Sequence, residues 1–423
     1  MAKRPTHSSK ALVFLRRAPA ALQLFGGVLD DEAGRAFVAL VDALGTAADV
    51  ASLRAYGRWF VALAEVGVSW RTHLIRRILL DENPFSRRAQ SQPLEALDVA
   101  LVAAARRDLG LLGRIAASGP RLAGWLAAVA PDLTAPVAWP EPKSDDLFAD
   151  LDDWGAGITP LASHYRRAGI GVVAAFAALR WQGGRLIGVE RPDGVHLDDL
   201  VGYEAQRALL LKNTEFLLAG YLALNVLLYG SRGSGKSSLV KALSTAYAGR
   251  GLRLLEVRRS ELAELPAIVE LVRSSPLKFV VFVDDLSFEA DDDQIKALKV
   301  VLEGGLTARP ANVVVYATSN RRHLVRESFA DRSGPTIGDE VHAFDTVHEK
   351  LAFSDRFGLT LTFDPTDQPT YLRIVTHLAE RTGITLPPAD LERRALQWAL
   401  RHKGRSGRTA RQFIDFLRAE LGG

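Results

Sequence analysis

The 423-residue sequence contains no cysteine. That excludes disulfides, thiolate metal sites, iron–sulfur clusters and cysteine nucleophiles, and it fits a reducing compartment. A long apolar run is missing too. The longest uncharged stretch, Phe216 to Ser231, is 16 residues long, contains Asn225 and ends in a glycine-rich loop. A membrane-spanning helix needs roughly 20 apolar residues, so no membrane association is expected. Near the start, Lys3, Arg4 and Lys10 precede too few apolar residues to form a signal-peptide core. The Arg16-Arg17 pair has the form of a twin-arginine signal, but Pro19 and Gln23 weaken it. The expected location is cytoplasmic. Internal repeats and low-complexity runs are absent as well.

Charge of one sign is scarce overall. Lys plus Arg is 53 and Asp plus Glu is 49, a net +4, which by itself does not argue for nucleic-acid binding. The balance varies along the chain. Residues 1–138 carry 17 basic and 12 acidic side chains, residues 139–369 carry 26 and 32, and residues 370–423 carry 10 and 5.

Residues 1–138 read as a helical domain. Apolar side chains recur at helical spacing, as in Leu53, Tyr56, Phe60, Leu63 and Val66. Breaks fall at Gly26-Gly27, at Asp81 to Pro84 and at Ser118 to Pro120. Trp59, Trp70 and Trp125 are then core or interface residues rather than a base-stacking platform. Residues 139–198 read as a connector. Residues 131–160 have a linker composition, with Pro131, Pro136, Pro140 and Pro142 and the acids from Asp145 to Asp153, and Arg185 to Leu197 has the pattern of a short hairpin turning at Pro192-Asp193-Gly194. From Asp199 strand-like and helical runs alternate, which predicts a parallel sheet with crossover helices.

The chemistry lies in that second half. Gly230-x4-Gly235-Lys236-Ser237 follows an apolar strand, Val226 to Tyr229, and precedes a helical run, Ser238 to Tyr247. This is the P-loop pattern in the context it needs. Gly230, Gly233 and Gly235 let the backbone turn with positive φ and approach a phosphate. The N–H groups of Ser231, Arg232, Ser234 and Ser238 lie along the same loop and helix start, where anions are favoured. Lys236 supplies a cation to the β- and γ-phosphates, and the Ser237 hydroxyl can ligate Mg²⁺.

The run Phe279 to Val283 reads as a buried strand ending in Asp284-Asp285. Open α/β sheets place ligands at strand C-termini. The pair has the shape of a Walker B motif, with Asp284 on Mg²⁺ and Asp285 polarising the attacking water. Asp285 is one methylene shorter than the glutamate common there. Glu289 and the Asp291-Asp292-Asp293 run read as a solvated acidic helix start. A third strand, Asn312 to Asn320, ends in Thr318-Ser319-Asn320. Asn320 is the best group to orient the lytic water, with Thr318 and Ser319 as alternates. Arg321, Arg322 and His323 follow, suited to phosphate, a partner, nucleic acid or solvent. A further strand, Leu252 to Val257, lies between the P-loop and Walker B strands. Together with the lack of an Asn-Lys-x-Asp motif, it points to ATP rather than GTP.

In this order of parts the sequence resembles the AAA+ ATPase superfamily. More closely, it is similar to an uncharacterised bacterial family of AAA+ ATP-binding proteins, catalogued as a domain of unknown function. The resemblance runs from about His164 to the C-terminus. It rests on Leu200 to Gln206, the P-loop, Val283 to Phe288, Leu302 to Leu306, Tyr316 to Leu324, Ser354 to Gly358 and Ser406 to Phe413. Residues 1–160 carry no such match.

The resemblance implies a P-loop NTPase fold, α/β, with a parallel sheet sandwiched by helices and a C-terminal α-helical lid, preceded by an all-α domain. The nucleotide-binding domain is expected over 199–365 and the lid over 366–423, as three helices broken at Gly383 and Gly404. The implied cofactors are ATP and Mg²⁺. Gly202 and Tyr203 lie where such proteins touch adenine. Arg356 stands where an arginine finger reaches a neighbouring subunit; the alternative is a helix-end arginine paired with Asp355. Thr409 is expected as N-cap of the last helix. Arg411, in its first turn, would then be a second sensor of the γ-phosphate, with Arg408 as the alternate and plain surface placement also open.

The expected activity is ATP hydrolysis by a homo-oligomer, a ring or partial ring, acting on a protein or nucleic-acid client. A nucleotide-gated binding module with little turnover and a DNA-associated loader are the other readings.

Overall fold

The computed structural model describes residues 6–46, 49–142, 145–286, 292–303, 310–320, 356–402 and 404–422. The chain forms two compact units, Met1–Ala175 and Phe176–Gly423.

The first unit is all helix. Its longer helices include Thr6–Arg17, Glu32–Thr46, Asp49–Val66, Trp70–Leu80 and Val99–Ala116. Polar caps set their starts: the Ser69 side chain accepts from Thr72 N–H, and Asn83 forms a capping box ahead of Pro84. The core is aromatic. Trp70 stacks on Phe37 at 4.7 Å and meets Trp59 edge-on at 6.0 Å, and both tryptophans are buried. They are packing residues, since such offset and edge-on pairs add to burial.

The expected linker over 139–175 is corrected. Phe148, Trp154, Leu161 and Tyr165 belong to the same buried cluster as Trp59 and Trp70. Phe148 stacks on Trp154 at 4.9 Å. The acids there have local work: Asp146 pairs with Arg71 at 3.1 Å, and Asp153 caps the turn Trp154–Gly157. Proline and acid composition concealed two large apolar anchors, and burying these outweighs the composition.

The second unit is built on a seven-stranded sheet in the order β2-β1-β4-β5-β6-β3-β7. The strands are β1 (Ala178–Gln182), β2 (Arg185–Gly188), β3 (Val226–Gly230), β4 (Leu252–Glu256), β5 (Lys278–Val283), β6 (Val313–Ser319) and β7 (Leu359–Phe363). Among the described residues only β1 and β2 pair antiparallel; β1 then joins β4 in parallel. The expected hairpin is therefore shifted. Its turn is Gly183-Gly184, both with positive φ, as a tight two-residue turn requires. Pro192-Asp193-Gly194 lies beyond it in irregular chain. The hairpin extends the sheet rather than joining two domains.

Strands β5 and β6 are buried nearly throughout, which explains their continuous apolar runs. The helices Glu204–Leu218, Lys236–Tyr247, Leu265–Val272 and Asp292–Glu303 accompany the sheet. The lid follows as Gln368–Thr382, Pro388–Arg401 and Gly407–Glu420, closed around Tyr371, Val375, Ala395, Phe413 and Leu417. Gly383 and Gly404 sit at the breaks with positive φ. The architecture is an α/β fold with a mostly parallel sheet flanked by helices and a C-terminal helical lid, preceded in sequence by a helical unit. Among the described residues no helix is long and apolar enough to cross a membrane.

Candidate functional site

Strand β3 ends at Gly230, the loop turns through Gly233 and Gly235, and the helix begins at Lys236. Two of the glycines are required by their surroundings. A Cβ on Gly230, at φ 136°, would collide with the Phe363 carbonyl. One on Gly233, at φ 75°, would meet Ser406 Oγ at 2.8 Å.

The Lys236 side chain folds back under the loop. Its Nζ donates to Gly230 O at 3.1 Å, Ser231 O at 2.8 Å and Asn320 Oδ1 at 3.2 Å. Burial pushes its pKa down to about 8, against the pull of Asp284 and Asp285, which raise it.

Opposite it, Ser237 Oγ donates to Asp284 Oδ1 at 2.7 Å, and Thr318 Oγ1 donates to the same oxygen at 2.6 Å. Asn320 Nδ2 donates to Asp285 Oδ1 at 2.6 Å. Because β3, β5 and β6 lie side by side, groups up to 84 residues apart in sequence meet at the C-terminal ends of these strands. Ser319, an alternate for the polar role at the end of β6, is buried, and its hydroxyl has no hydrogen-bond partner among the described residues.

Lys236, Ser237, Asp284, Asp285 and Asn320 line a cavity of about 570 Å³. Arg232, Ser234 and Ser238 line it from the P-loop side, and Gly202 and Tyr203 from the segment ahead of helix Glu204–Leu218. The Tyr203 ring packs on Phe363 at 4.9 Å, and its hydroxyl donates to Asp364 O; burial raises its pKa.

From the lid come Arg408 and Arg411. The cap is corrected here. Ser406, not Thr409, is the N-cap; its side chain accepts from Thr409 N–H, and the helix starts at Gly407. Arg408 therefore occupies the first turn and Arg411 the second. The Arg408 N–H also donates to Gly233 O at 3.4 Å, tying lid to P-loop.

Arg356 is partly buried and is not among the cavity-lining residues. The rest of its motif, 350–355, lies outside the described residues, as do Glu289, Asp291 and Arg321 to His323. Asp292 and Asp293 open the helix Asp292–Glu303.

Sequence reasoning missed the facing wall as part of the site. Asp199, Leu200, Val201 and Arg207 line it together with lid residues Ile374 and Leu378. His377 Nε2 meets Asp198 O at 2.6 Å and Arg381 pairs with Asp199, fastening the lid helix to this segment. No short motif signals these contacts.

The donor set suits Mg²⁺. Ser237 and Asp284 offer hard oxygens within 2.7 Å of each other, and Mg²⁺ keeps several waters and takes few protein ligands beside phosphate.

A family model described as "Protein of unknown function (DUF815)" matches residues 174–421, more than half of the chain. No curated protein matches. Two solved structures are similar in part. One is the RuvB Holliday junction branch migration motor of Thermotoga maritima, at 15% identity over 53% of this chain and 72% of that one, with a TM-score of 0.33. The other is a DNA replication initiation factor, at 14% identity over 53% and 64%, with a TM-score of 0.35.

Proposed function

The chain belongs to the DUF815 family, and we propose that its second unit is an ATPase that binds ATP with Mg²⁺ in this cavity and hydrolyses it to ADP and phosphate. The observation that carries the reading is the convergence of Lys236, Ser237, Asp284, Asp285 and Asn320 on one cavity edge, linked by hydrogen bonds.

In this reading the loop from Gly230 to Ser238 cradles the phosphates with backbone N–H groups, and Lys236 lends its charge. Ser237 and Asp284 hold Mg²⁺, whose charge offsets that of the phosphates. Asp285 takes the proton of the attacking water, and Asn320 orients that water. Gly202 and Tyr203 face the base. Arg411, with Arg408 one turn earlier, reaches the γ-phosphate from the lid. Arg356 completes a neighbour's site in a homo-oligomer. Turnover would remodel or load a macromolecular client.

A second reading, a nucleotide-gated binding module with slow turnover, is favoured by one observation: the Asp285 carboxylate is already taken by Asn320. A turnover assay on the assembled protein separates the two.

The test of nucleotide binding is Lys236→Ala. It should weaken ATP affinity by at least about a hundredfold, the loss of a charge-assisted phosphate contact. Unchanged affinity would place the nucleotide elsewhere.

A further inference from the structure

We propose that Thr318 is a positioning residue whose single hydroxyl couples the two acids at the end of β5. The inference rests on the ATPase reading for its consequence in turnover, but not for its geometry.

Thr318 is 2% exposed and lies on β6 between β5 and β3. The register pairs Val283 with Ala317, so Thr318 faces the residues that follow β5. It bonds three of them in succession. Its Oγ1 donates to Asp284 Oδ1 at 2.6 Å and accepts the Asp285 N–H at 2.9 Å, and its carbonyl accepts the Leu286 N–H at 2.7 Å. The direction of the hydroxyl proton is not free. A backbone N–H can only donate, so the hydroxyl must accept there, and its one proton goes to the carboxylate.

The acceptor bond fixes a backbone that is otherwise unfavourable. Asp285 has φ 54°, in the left-handed region. Among the described residues, Tyr203 and Asp285 are the non-glycine residues with positive φ, and both line the cavity. Aspartate enters this region more readily than longer side chains, because its short polar group can bond locally. In this conformation the Asp285 carboxylate meets Asn320 Nδ2 at 2.6 Å. The geometry thus gives a physical reason for aspartate rather than glutamate at this position. The residue must hold a left-handed turn, and Thr318 supplies the acceptor that stabilises it. Strain held at such a site persists only where the surroundings over-determine it.

Thr318→Val keeps shape and branching and removes only the hydroxyl; Thr318→Ser keeps the hydroxyl. Hydrogen exchange over residues 280–286, measured on the full chain without nucleotide, reads the Asp285 N–H bond itself. In Thr318→Val that amide should exchange about tenfold faster or more, and in Thr318→Ser within about threefold of wild type. With ATP, Thr318→Val should lower kcat about 10- to 100-fold while Kd for ATP moves less than about threefold. Thr318→Ser should restore turnover. A merely structural threonine would move stability and binding together and would not split kcat from Kd.

Unchanged exchange in Thr318→Val overturns the coupling, and so does an equal loss of turnover in both variants. If Thr318→Val does not fold, Thr318→Ala removes the same hydroxyl and is read by the same criteria. A wild-type protein without ATP turnover would remove the ATPase reading alone; the exchange comparison would still decide the coupling.

Discussion

Lys236 and Asn320 are hydrogen-bonded, Nζ to Oδ1, at 3.2 Å. The contact joins the start of the P-loop helix to the end of β6, the strand beside the P-loop strand. Asn320 passes the link on through Nδ2 to Asp285. A phosphate that draws the ammonium toward itself therefore disturbs Asn320, and through it Asp285. In the proposed ATPase, sensing and catalysis would share this one short chain of side chains.

The depressed pKa of Lys236, about 8, gives the first prediction. Below that value the amine carries its charge; above it the amine loses its proton. A bound polyphosphate favours the charged form, so affinity is full below about pH 8 and falls as pH rises, by up to about tenfold per unit. A lysine at its ordinary value of 10.5 would keep affinity flat well above pH 9. Titration with a fluorescent ATP analogue between pH 7 and pH 10 distinguishes the two. A flat profile would mean that Lys236 is not the phosphate cation or is not desolvated.

What was legible in the sequence was contiguous. The P-loop could be read because its glycines, lysine and serine must sit at fixed spacing for backbone N–H groups to converge. Strands β3 to β6 could be read because burial on both faces imposes unbroken apolar runs. Strand β7 was not legible: Leu359, Leu361 and Phe363 alternate with Thr360 and Thr362, but five residues are too few for a period of two to stand out. The segment 139–175 was misread because composition is an average, and Phe148 and Trp154 act as individuals. The wall that Ile374 and Leu378 complete, opposite Asp199 and Val201, has no pattern in the lid sequence. It exists only once the lid helix docks on the segment before Tyr203.

Arg356 lies apart from the residues that line its own chain's cavity, so its role should appear between chains. Arg356→Ala should lower ATP hydrolysis about a thousandfold or more, within the range measured for arginine fingers, while leaving ATP affinity within about threefold. The decisive measurement is mixing. Asp285→Asn removes the proposed general base from one chain and leaves its Arg356 intact. Combined with Arg356→Ala chains, it rebuilds sites that hold both groups, and activity should return. If the mixture stays as inactive as its components, the site is not shared and Arg356 is a local ion-pairing residue.

A last prediction concerns the helical unit and is independent of nucleotide. Asp108 is fully buried, and its Oδ2 accepts the backbone N–H groups of Gln23, Leu24 and Phe25 at 2.8, 2.7 and 3.2 Å. Those donors lie in a connecting segment and have no helical ladder to join, so one carboxylate oxygen supplies what secondary structure does not. Replacing Asp108 with alanine leaves them without an acceptor and should cost about 3 kcal/mol, since unmade buried bonds are costly. Asp108→Asn keeps one acceptor oxygen and should lose less than half of that. Five of the seven tryptophans, Trp59, Trp70, Trp125, Trp139 and Trp154, lie in this unit, so denaturation followed by tryptophan fluorescence reports chiefly on it. A loss below about 1 kcal/mol in Asp108→Ala would show that water or chain relaxation satisfies the three donors, and that the segment 22–25 is held by its apolar contacts alone. Phe25 favours the larger loss. It is fully buried and packs on Phe85 at 6.4 Å, so its amide cannot reach solvent unless that ring leaves the core.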